Sequence, residues 1–256
     1  MLKVENLSFR YHKRGRAVLD GAALELQQGE IGILLGKNGS GKTTLFKNLL
    51  GICKPDRGTV RFWGEDLLKM SRRERAARIA YVPQDIRFGA LTVFDSVLMG
   101  RISQFGLKAG PDDYRAVEKI LADMDLTEFA HRNVEELSGG ERQKIAIARA
   151  MAQEPKLMVF DEPTGNLDIA NEDLIIREAK KLAREKGISI LSSLHDLNQA
   201  LYFGDKFFLL KNGVVKYAGG QEVITEAVIK DIFDMDVRIV EIDNRKVILG
   251  GIHNEV

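Results

Sequence analysis

The chain has 256 residues, of which 38 are basic and 37 acidic, so its formal net charge at pH 7 is +1. This balance leaves no electrostatic footprint for binding nucleic acid. The single cysteine, Cys53, excludes an internal disulfide and favours a reducing compartment. No apolar run approaches the length of about 18 residues that a membrane helix needs, and the first residues lack a signal-peptide core. We therefore expect a soluble, cytosolic chain that reaches a membrane only through a partner.

The first third of the chain predicts short strands around one helix. The predicted strands are residues 2–9, 22–28, 30–35, 58–63 and 79–83, with a turn at Gly29-Glu30. Residues 44–50 are predicted to be helical. The strands that flank residues 30–35 favour a small antiparallel sheet beside a parallel core.

The middle of the chain is first helical and then alternates. From about residue 92 to 135 apolar residues recur at helical spacing, most clearly in Thr92–Arg101 and Tyr114–Met124. After that, predicted helices at 139–153 and 171–186 alternate with predicted strands at 157–160, 189–192 and 207–210. Such alternation indicates βαβ units and a mostly parallel sheet.

The C-terminal part has a different pattern. Asn212-Gly213 lies between two apolar runs and is a strong signal for a two-residue hairpin turn. Residues 221–233 are predicted to form a helix, and residues 237–249 a second hairpin that turns at Asp243-Asn244. We expect one α/β domain over residues 1–256, with a helical subdomain at about 85–135 and a C-terminal appendage at about 211–256.

A phosphate-binding loop follows the predicted strand at 30–35. It fits the pattern of a glycine, four residues, then glycine, lysine and serine or threonine. In this strand–loop–helix context the glycines let the backbone wrap phosphates, Lys42 supplies a point charge and Thr43 can ligate Mg²⁺. The loop consists of Gly36, Lys37, Asn38, Gly39, Ser40, Gly41, Lys42 and Thr43.

A second candidate anion site lies at residues 137–143, with the sequence Leu-Ser-Gly-Gly-Glu-Arg-Gln. A glycine turn that leads into a helix exposes unpaired backbone N–H groups at the positive end of the helix dipole. Taken alone, the segment is equally a helix start capped by Ser138. Two phosphate-binding elements in one chain of this size require an explanation.

Two carboxylates end the predicted strand at 157–160. Four apolar residues lead directly into Asp161 and Glu162, and carboxylates at the end of a buried strand are costly unless they face a cation or a reacting centre. Beside a phosphate loop, Asp161 can hold Mg²⁺ through water, and Glu162 is placed to polarise an attacking water. The alternative is a charged strand end that faces solvent.

Three further side chains have a functional and a structural interpretation. Gln84, just after a predicted strand, can ligate Mg²⁺ or orient water, or be an ordinary surface residue. His195, after the predicted strand at 189–192, lies where open α/β sheets place ligands, although a single histidine is more often structural. Tyr11 can stack on a base, or be a half-buried tyrosine.

Taken together, these motifs resemble the ATP-binding subunit of ATP-binding cassette (ABC) transporters over essentially the whole chain. The resemblance implies a P-loop NTPase core with a mostly parallel sheet, an N-terminal antiparallel β subdomain, an inserted helical subdomain and a small C-terminal β/α appendage. By resemblance, residues 36–43 are the Walker A loop, 157–162 the Walker B strand, 137–143 the ABC signature and 166–168 the D-loop. Gln84 matches the Q-loop glutamine, His195 the switch histidine and Tyr11 the aromatic residue that stacks on adenine.

The resemblance also implies a mechanism, in which two copies pack head to tail and ATP lies between the Walker A loop of one copy and the signature of the other. Hydrolysis would then gate a motion. The residues implied to act in catalysis are Glu162, His195, Gln84 and Lys42. Those implied to bind ATP within one chain are Tyr11, the phosphate loop and Thr44. Those implied to bind ATP across the homodimer are Ser138, Gly139, Gly140, Glu141 and Asp168. Those implied to hold Mg²⁺ are Thr43, Gln84 and Asp161.

The implied partners are a second copy, integral membrane permease subunits and a substrate-binding protein, at the cytoplasmic face of the cell membrane. The segments 91–101, 194–200 and 216–220 resemble importers of iron–siderophore, haem or cobalamin, and molybdate importers are similar. An alternative is a soluble ABC ATPase that acts on ribosomes or DNA, although those usually carry two cassettes or a long coiled-coil insertion. A module that binds ATP without hydrolysing it is disfavoured by the intact Glu162 and His195.

Overall fold

The computed structural model describes residues 1–84, 86–104, 108–165, 167–243 and 245–250. Its strands are β1 (Leu2–Phe9), β2 (Leu19–Leu26), β3 (Ile31–Leu35), β4 (Arg57–Phe62), β5 (Glu65–Asp66), β6 (Ile79–Val82), β7 (Leu157–Asp161), β8 (Ser189–Ser193), β9 (Lys206–Lys211), β10 (Val214–Gly219), β11 (Val237–Ile242) and β12 (Arg245–Gly250). Its α-helices are α1 (Lys42–Leu49), α2 (Arg72–Ala76), α3 (Val93–Leu98), α4 (Pro111–Asp123), α5 (Gly139–Ala152), α6 (Ile169–Lys186), α7 (Leu197–Phe203) and α8 (Glu226–Phe233). Short 3₁₀ helices lie at Met99–Ser103, Thr127–Phe129, Val134–Glu136 and Gln221–Val223. None of the helices described here is both long and apolar enough to cross a bilayer.

The N-terminal sheet is antiparallel, with the strand order β2-β1-β4-β5. The predicted strand at 22–28 is wrong at both ends, because β2 spans Leu19–Leu26. It starts earlier than the pattern indicated because Gly21, with a φ of 76°, interrupts the alternation without ending the pairing. It ends earlier because Gln27 N–H donates to Glu30 Oε2 at 2.6 Å, which turns the chain.

The central sheet has the order β10-β9-β3-β8-β7-β6, and all of its neighbouring pairs are parallel except β10 with β9. Every residue of β3, β7 and β8 is buried. β3 and residues 157–160 of β7 are apolar, as expected of strands covered on both faces, whereas β8 also buries Ser189, Ser192 and Ser193. The predicted mostly parallel sheet with an antiparallel N-terminal sheet is confirmed.

Two hydrophobic cores hold these layers together. In one core, α1 lies between the two sheets and packs Leu45 and Phe46 with residues such as Leu34 and Phe208. In the other core, α5, α6 and the helices of the insert cover the opposite face of the central sheet. The parallel strands therefore present their carboxyl ends along one edge, where the loops that follow β3, β6, β7 and β8 meet.

The inserted helices differ from the predicted boundaries. The predicted helix at 92–101 is α3 followed by a 3₁₀ turn, because Gly100 passes so close to α5 that a Cβ there would lie 2.1 Å from Arg149 O. The predicted helix at 114–124 starts earlier, at Pro111, which occupies the first turn of α4. Its buried residue Asp113 accepts a hydrogen bond from Arg101 Nε at 2.7 Å, which joins α4 to the 3₁₀ turn.

The C-terminal part also corrects one prediction. The single helix predicted at 221–233 is wrong, because Thr225 caps a separate helix, α8, and accepts a hydrogen bond from Val228 N–H at 3.2 Å. The hairpin at Asn212-Gly213 is confirmed, with φ angles of 51° and 80°. Strands β11 and β12 form the second hairpin, and the part of its predicted turn at Asn244 lies outside the described residues.

Candidate functional site

The phosphate loop leads from β3 into α1 and leaves the start of that helix open. Gly41 occupies the cap position with a φ of 112°, and no side chain caps the helix. Lys42 Nζ donates to Gly36 O at 2.8 Å and to Lys37 O at 3.4 Å, so the lysine side chain curls back over its own loop. The hydroxyl of Ser40 is buried and has no partner in the described part of the chain. Free N–H groups, a cation and an unpaired hydroxyl suit the oxygens of a phosphate group.

Asp161 ends β7 beside the start of α1. Its Oδ1 accepts from Ser193 Oγ at 2.9 Å and lies 3.5 Å from Thr43 Oγ1. Its Oδ2 accepts from Tyr81 OH at 3.3 Å. Burial raises the pKa of Tyr81, and the nearby Asp161 carboxylate raises it further, so the phenol stays a donor. These contacts fix the carboxylate in one orientation beside the Thr43 hydroxyl.

Glu162 follows Asp161 in a left-handed backbone conformation, with a φ of 54°. A residue with a side chain occupies this region at a cost, and the hydrogen bond from Glu162 N–H to Ser193 Oγ, 3.0 Å long, helps to hold it. Its Oε2 accepts from Gln84 Nε2 at 2.7 Å, and its Oε1 lies 2.5 Å from His195 Nε2. The structure thus brings three predicted residues from three loops together on one carboxylate.

These groups surround a cavity of about 390 Å³. Burial lowers the pKa of the Lys42 ammonium, and the carboxylates of Glu162 and Asp161 oppose that shift. The lining residues are Val18, Asn38, Gly39, Gly41, Lys42, Thr43, Thr44, Gln84, Glu162 and His195. The cavity is therefore cationic at the phosphate loop and acidic at the strand end, which suits an anionic substrate that reacts at the far end.

Tyr11 lies at the rim of this region. Its hydroxyl is 3.1 Å from Thr44 Oγ1, and its ring meets Phe9 edge-on at a centroid distance of 4.9 Å. With the residue 51% exposed, one face of the ring is free to stack on a planar group.

The signature segment is built differently from the phosphate loop. Ser138 caps α5 in a reciprocal arrangement, in which Ser138 N–H and Oγ donate to Glu141 Oε2 at 2.8 and 2.7 Å, and Glu141 N–H donates back at 3.3 Å. These hydrogen bonds lower the pKa of Glu141. Of the described residues, none of the signature segment lines the cavity. The structure does not bring this predicted anion site to the phosphate loop of the same chain.

Asn171 links the signature to the D-loop. Asp168 caps α6 by accepting from Asn171 N–H and from Asn171 Nδ2, both at 2.9 Å. A Cβ added at Gly140 would lie 2.6 Å from the Asn171 side chain, whereas one at Gly139 would meet nothing within 4 Å. Asn166 of the predicted D-loop lies outside the described residues.

Sequence reasoning missed two kinds of residue at this site. Ser193 supports both Asp161 and Glu162, and a polar residue at the end of a buried strand is the signal that could have revealed it. Gln199 joins the two loops that carry the reactive pair: its Oε1 lies 2.7 Å from Thr164 Oγ1, and its Nε2 donates to Glu172 at 3.1 Å. Because Gln199 is distant in sequence from Thr164, no local pattern indicates that contact.

The chain is similar in sequence to known proteins of one family. The family model described as "ABC transporter" matches residues 19–165. An uncharacterized ABC transporter ATP-binding protein of Methanocaldococcus jannaschii is 38% identical over 93% of this chain and 93% of its own length. The iron(3+)-hydroxamate import ATP-binding protein of Bacillus subtilis is 35% identical over 93% of this chain and 90% of its own. Relatives named for import of hemin, of spermidine and putrescine, and of phosphonates match at 36%, 34% and 30% identity.

Solved structures of proteins from the same family superpose on this chain. An inward-facing ABC transporter described as metal-chelate type superposes with a TM-score of 0.82 at 30% identity, over 97% of this chain and 95% of that one. A dimeric ATP-binding cassette with bound ADP and Pi superposes with a TM-score of 0.75 at 27% identity, over 86% of this chain and 98% of that one. The chain belongs to the ABC transporter family. It is an ATP-binding subunit of that family, and its characteristic activity is the hydrolysis of ATP.

Proposed function

We propose that this chain works as a homodimer that powers import of a metal chelate through a separate membrane permease. ATP would bind between the phosphate loop of one copy and the signature of the other. The observation that carries the proposal is the geometry of Glu162, which lies at the end of a cavity suited to phosphates and is held by Gln84 and His195. A carboxylate in that position is suited to accept a proton from an attacking water.

We assign Glu162 as the general base. Both of its oxygens are engaged, one by Gln84 and one near His195, so a substrate must draw at least one partner away before water can be accepted. His195 is the partner to move, because an imidazole released from Glu162 can donate to the γ-phosphate instead. Substrate binding would in this way convert a closed triad of side chains into a base and a phosphate donor.

The charge of the phosphates would be offset by Lys42 and by Mg²⁺. The donors near the start of α1 fit that ion, because the Thr43 hydroxyl, the Asp161 carboxylate and the Gln84 amide all offer oxygen. When bound with ATP, Mg²⁺ supplies electrostatic stabilisation of the transferring phosphoryl group. Asp161 is kept pointing at the Thr43 hydroxyl by Ser193 and Tyr81.

The homodimer is proposed because the second phosphate element is unused within one chain. The cavity has no lining from the signature in the described residues, yet Gly139 is unobstructed and leaves its backbone open to an approaching group. The dimeric cassette with ADP and Pi is a precedent among proteins of this fold. Ser138, Gly139, Gly140, Glu141 and Asp168 would then contact the nucleotide of the partner copy.

The helical insert is the proposed docking surface for the permease. Three large apolar side chains are well exposed there: Met99 is 48%, Ile102 58% and Tyr114 45% exposed. Phe94 stacks on Tyr114 with the ring planes 16° apart and the centroids 5.9 Å apart, which restrains the Tyr114 ring. Apolar side chains that cluster on a surface indicate a contact with another protein. This surface, and not the ATP cavity, would bind a membrane partner at the cytoplasmic face.

The metal chelate is proposed from the resemblance of residues 91–101 and 194–200, from the iron-hydroxamate relative and from the metal-chelate type transporter. Molybdate remains the nearest alternative cargo. The cargo would be delivered by a substrate-binding protein and would not touch this chain.

Affinity purification of the chain from membranes of its own cells tests the proposal. We expect a polytopic membrane protein to copurify. A matched Met99→Glu and Ile102→Glu variant should lose that protein while it keeps ATP binding, and Tyr202→Glu, another exposed residue, should retain it. Recovery with ribosomes instead would favour the soluble alternative. Uptake of ferric hydroxamate, haem, cobalamin or molybdate by vesicles that contain the purified complex then identifies the cargo.

A further inference from the structure

Another cavity with polar lining lies between α6, α7 and the C-terminal hairpin. We call it the cationic cleft and define it by Lys180, Arg245 and Lys246. Its volume is about 360 Å³, which is within the range of small-molecule sites. Lys180 comes from α6, and Arg245 and Lys246 come from the start of β12. The cleft shares no lining residue with the ATP cavity.

The three cations of the cleft lack carboxylate partners. In the described part of the chain, none of them lies within 4 Å of an acidic side chain. Elsewhere in the appendage the lysines are neutralised. Asp231 pairs with Lys211 and Lys216 at 3.2 and 2.6 Å. The cleft thus brings together three cations that have no carboxylate partner among the described residues.

Two of the cations, Lys246 and Lys180, are also held in place. Lys246 Nζ donates to Gln221 O at 2.8 Å and to Ile224 O at 3.2 Å, which still leaves it one donor. Lys180 Nζ lies 3.9 Å from the centroid of the Tyr202 ring and donates to Tyr202 O. Burial lowers the pKa of Lys180, and the nearby Arg184 and Arg245 lower it further, against the opposing effect of Asp205 and Asp173. Positive charges that repel one another at fixed positions gain most when an anion enters.

We propose that the cationic cleft binds a small soluble organic phosphate, and that this ligand regulates ATP hydrolysis. Arg245 has no side-chain hydrogen bond within the described residues, so its planar guanidinium is available for two phosphate oxygens. Lys180 and Lys246 of the same cleft supply point charges. The exposed Tyr202 ring and the apolar side chains of the same cleft offer a surface for the organic part of the ligand.

The cleft is joined to the reactive end of the ATP cavity through α7. Asn198 of that helix donates from Nδ2 to Ile248 O at 3.0 Å and accepts from Ile248 N–H at 2.8 Å. Its side chain therefore binds both backbone groups of one residue of β12. The same helix begins at Leu197, directly after His195 and its capping neighbour Asp196. A ligand that draws β12 towards α6 would shift α7 and with it the loop that carries His195.

Labelling with pyridoxal phosphate tests binding. Its aldehyde condenses with a lysine amine, water leaves, and borohydride fixes the imine. We expect saturable labelling of Lys180 or Lys246 ahead of the exposed Lys181 and Lys186. Labelling at Lys42 is distinguished by its own peptide. Arg245→Glu should abolish labelling at the cleft, and Arg238→Glu, the same charge change on the partner strand of the hairpin, should not.

The source of the phosphate is decided by competition. Glycerol phosphate should protect the cleft from labelling, whereas vesicles that contain phosphatidic acid should not. Protection by the vesicles alone would overturn the assignment to a soluble ligand. Uniform labelling of all exposed lysines would overturn the site itself. Equal labelling in Arg245→Glu and Arg238→Glu would overturn it as well.

Regulation is tested by the ATPase rate with and without glycerol phosphate. We expect kcat or the KM for ATP to change by about fivefold, the lower part of the usual range for coupling between sites. The response should vanish in Arg245→Glu and persist in Arg238→Glu. If glycerol phosphate binds to the cleft and the ATPase rate does not change, the regulatory link is refuted. Because neither readout needs a permease, failure here is distinguishable from failure of the proposed import function.

Discussion

The phosphate loop and the signature both place a glycine-rich turn before a helix, yet they differ in what occupies the helix start. At α1 no side chain caps the helix, and Lys42 adds a positive charge. At α5 the hydroxyl of Ser138 and the carboxylate of Glu141 satisfy each other. The first turn is thus open to an anion, whereas the second already holds the carboxylate of its own chain.

A helix N-terminus is therefore not by itself a phosphate site. The signature would accept a phosphate only when a second copy brings one close enough to compete with Glu141. A capped helix start is stable in the free chain and leaves Gly139 unobstructed for that approach. We therefore expect a substitution on the phosphate-loop side to act within one copy, and a substitution in the signature to act between copies.

The largest expected effect is on the phosphate-loop side. Glu162→Gln should lower kcat by about 10²- to 10⁴-fold, the usual contribution of a general base, and should accumulate an ATP-bound dimer. Phosphate release and size-exclusion chromatography with ATP measure the two results. Glu185→Gln, an exposed residue late in α6, is the control. Normal turnover in Glu162→Gln would show that Glu162 is not the general base.

The next effect is on the signature side. Ser138→Arg should reduce ATPase by about a hundredfold, comparable to the loss of an oxyanion donor, while a single chain still binds nucleotide. Lys42→Ala should be equally inactive for a different reason. A mixture of the two variants forms hybrid dimers with one intact composite site, so activity should partly return. No gain on mixing would contradict a site shared between copies.

The link between the two reactive loops should have a smaller effect. Thr164→Val removes the hydroxyl that meets Gln199, and we expect kcat to fall by about tenfold through misplacement of Glu162 and His195, with KM little changed. Thr164→Ser keeps the hydroxyl and should restore the rate. An equal rise in the KM for ATP in Thr164→Val and Thr164→Ser would indicate a general packing defect.

The packing of the signature against α6 is expected to affect stability more than chemistry. Gly140→Ala should lower the free energy of unfolding by about 1–3 kcal/mol, because its methyl group would overlap the Asn171 side chain. Gly139→Ala, which meets nothing, should not destabilise the chain. Chemical denaturation measures both, and Asn171→Ala should relieve the loss in Gly140→Ala. Equal costs at the two glycines would contradict this packing.

The smallest effect concerns Asp231 in the C-terminal appendage, which pairs with Lys211 and Lys216. Hydrogen bonds from Lys216 and Lys211 lower the pKa of Asp231 to about 2. A depressed carboxyl pKa stabilises the fold above the unfolded value near 4 and loses that contribution as the pH falls towards 2. The stability difference between wild type and Asp231→Asn should therefore shrink as the pH is lowered from 5. A constant difference would place its origin in packing.

Much of the fold was accessible from local pattern. The strand–loop–helix around residues 36–43 depends on spacing within one short segment, and β3 and residues 157–160 of β7 are continuous apolar runs. The errors fall where a distant group intervenes. α3 ends at Leu98 and is followed by a 3₁₀ turn in which Gly100 lies against Arg149 of α5, and β2 continues through Gly21 because β1 supplies its pairing.

The order and chemistry of the motifs can be read from the sequence, and they indicate the family and the hydrolysis of ATP. The folded chain was needed to show that Gln84 and His195 share the carboxylate of Glu162, that the signature lies away from the cavity of its own chain, and that three cations line one cleft. The two sets of features differ in the range of the interactions that produce them. Periodicity and spacing fix hydrogen bonds between near neighbours in the chain, whereas side chains at one edge of a parallel sheet meet only through the order of its strands.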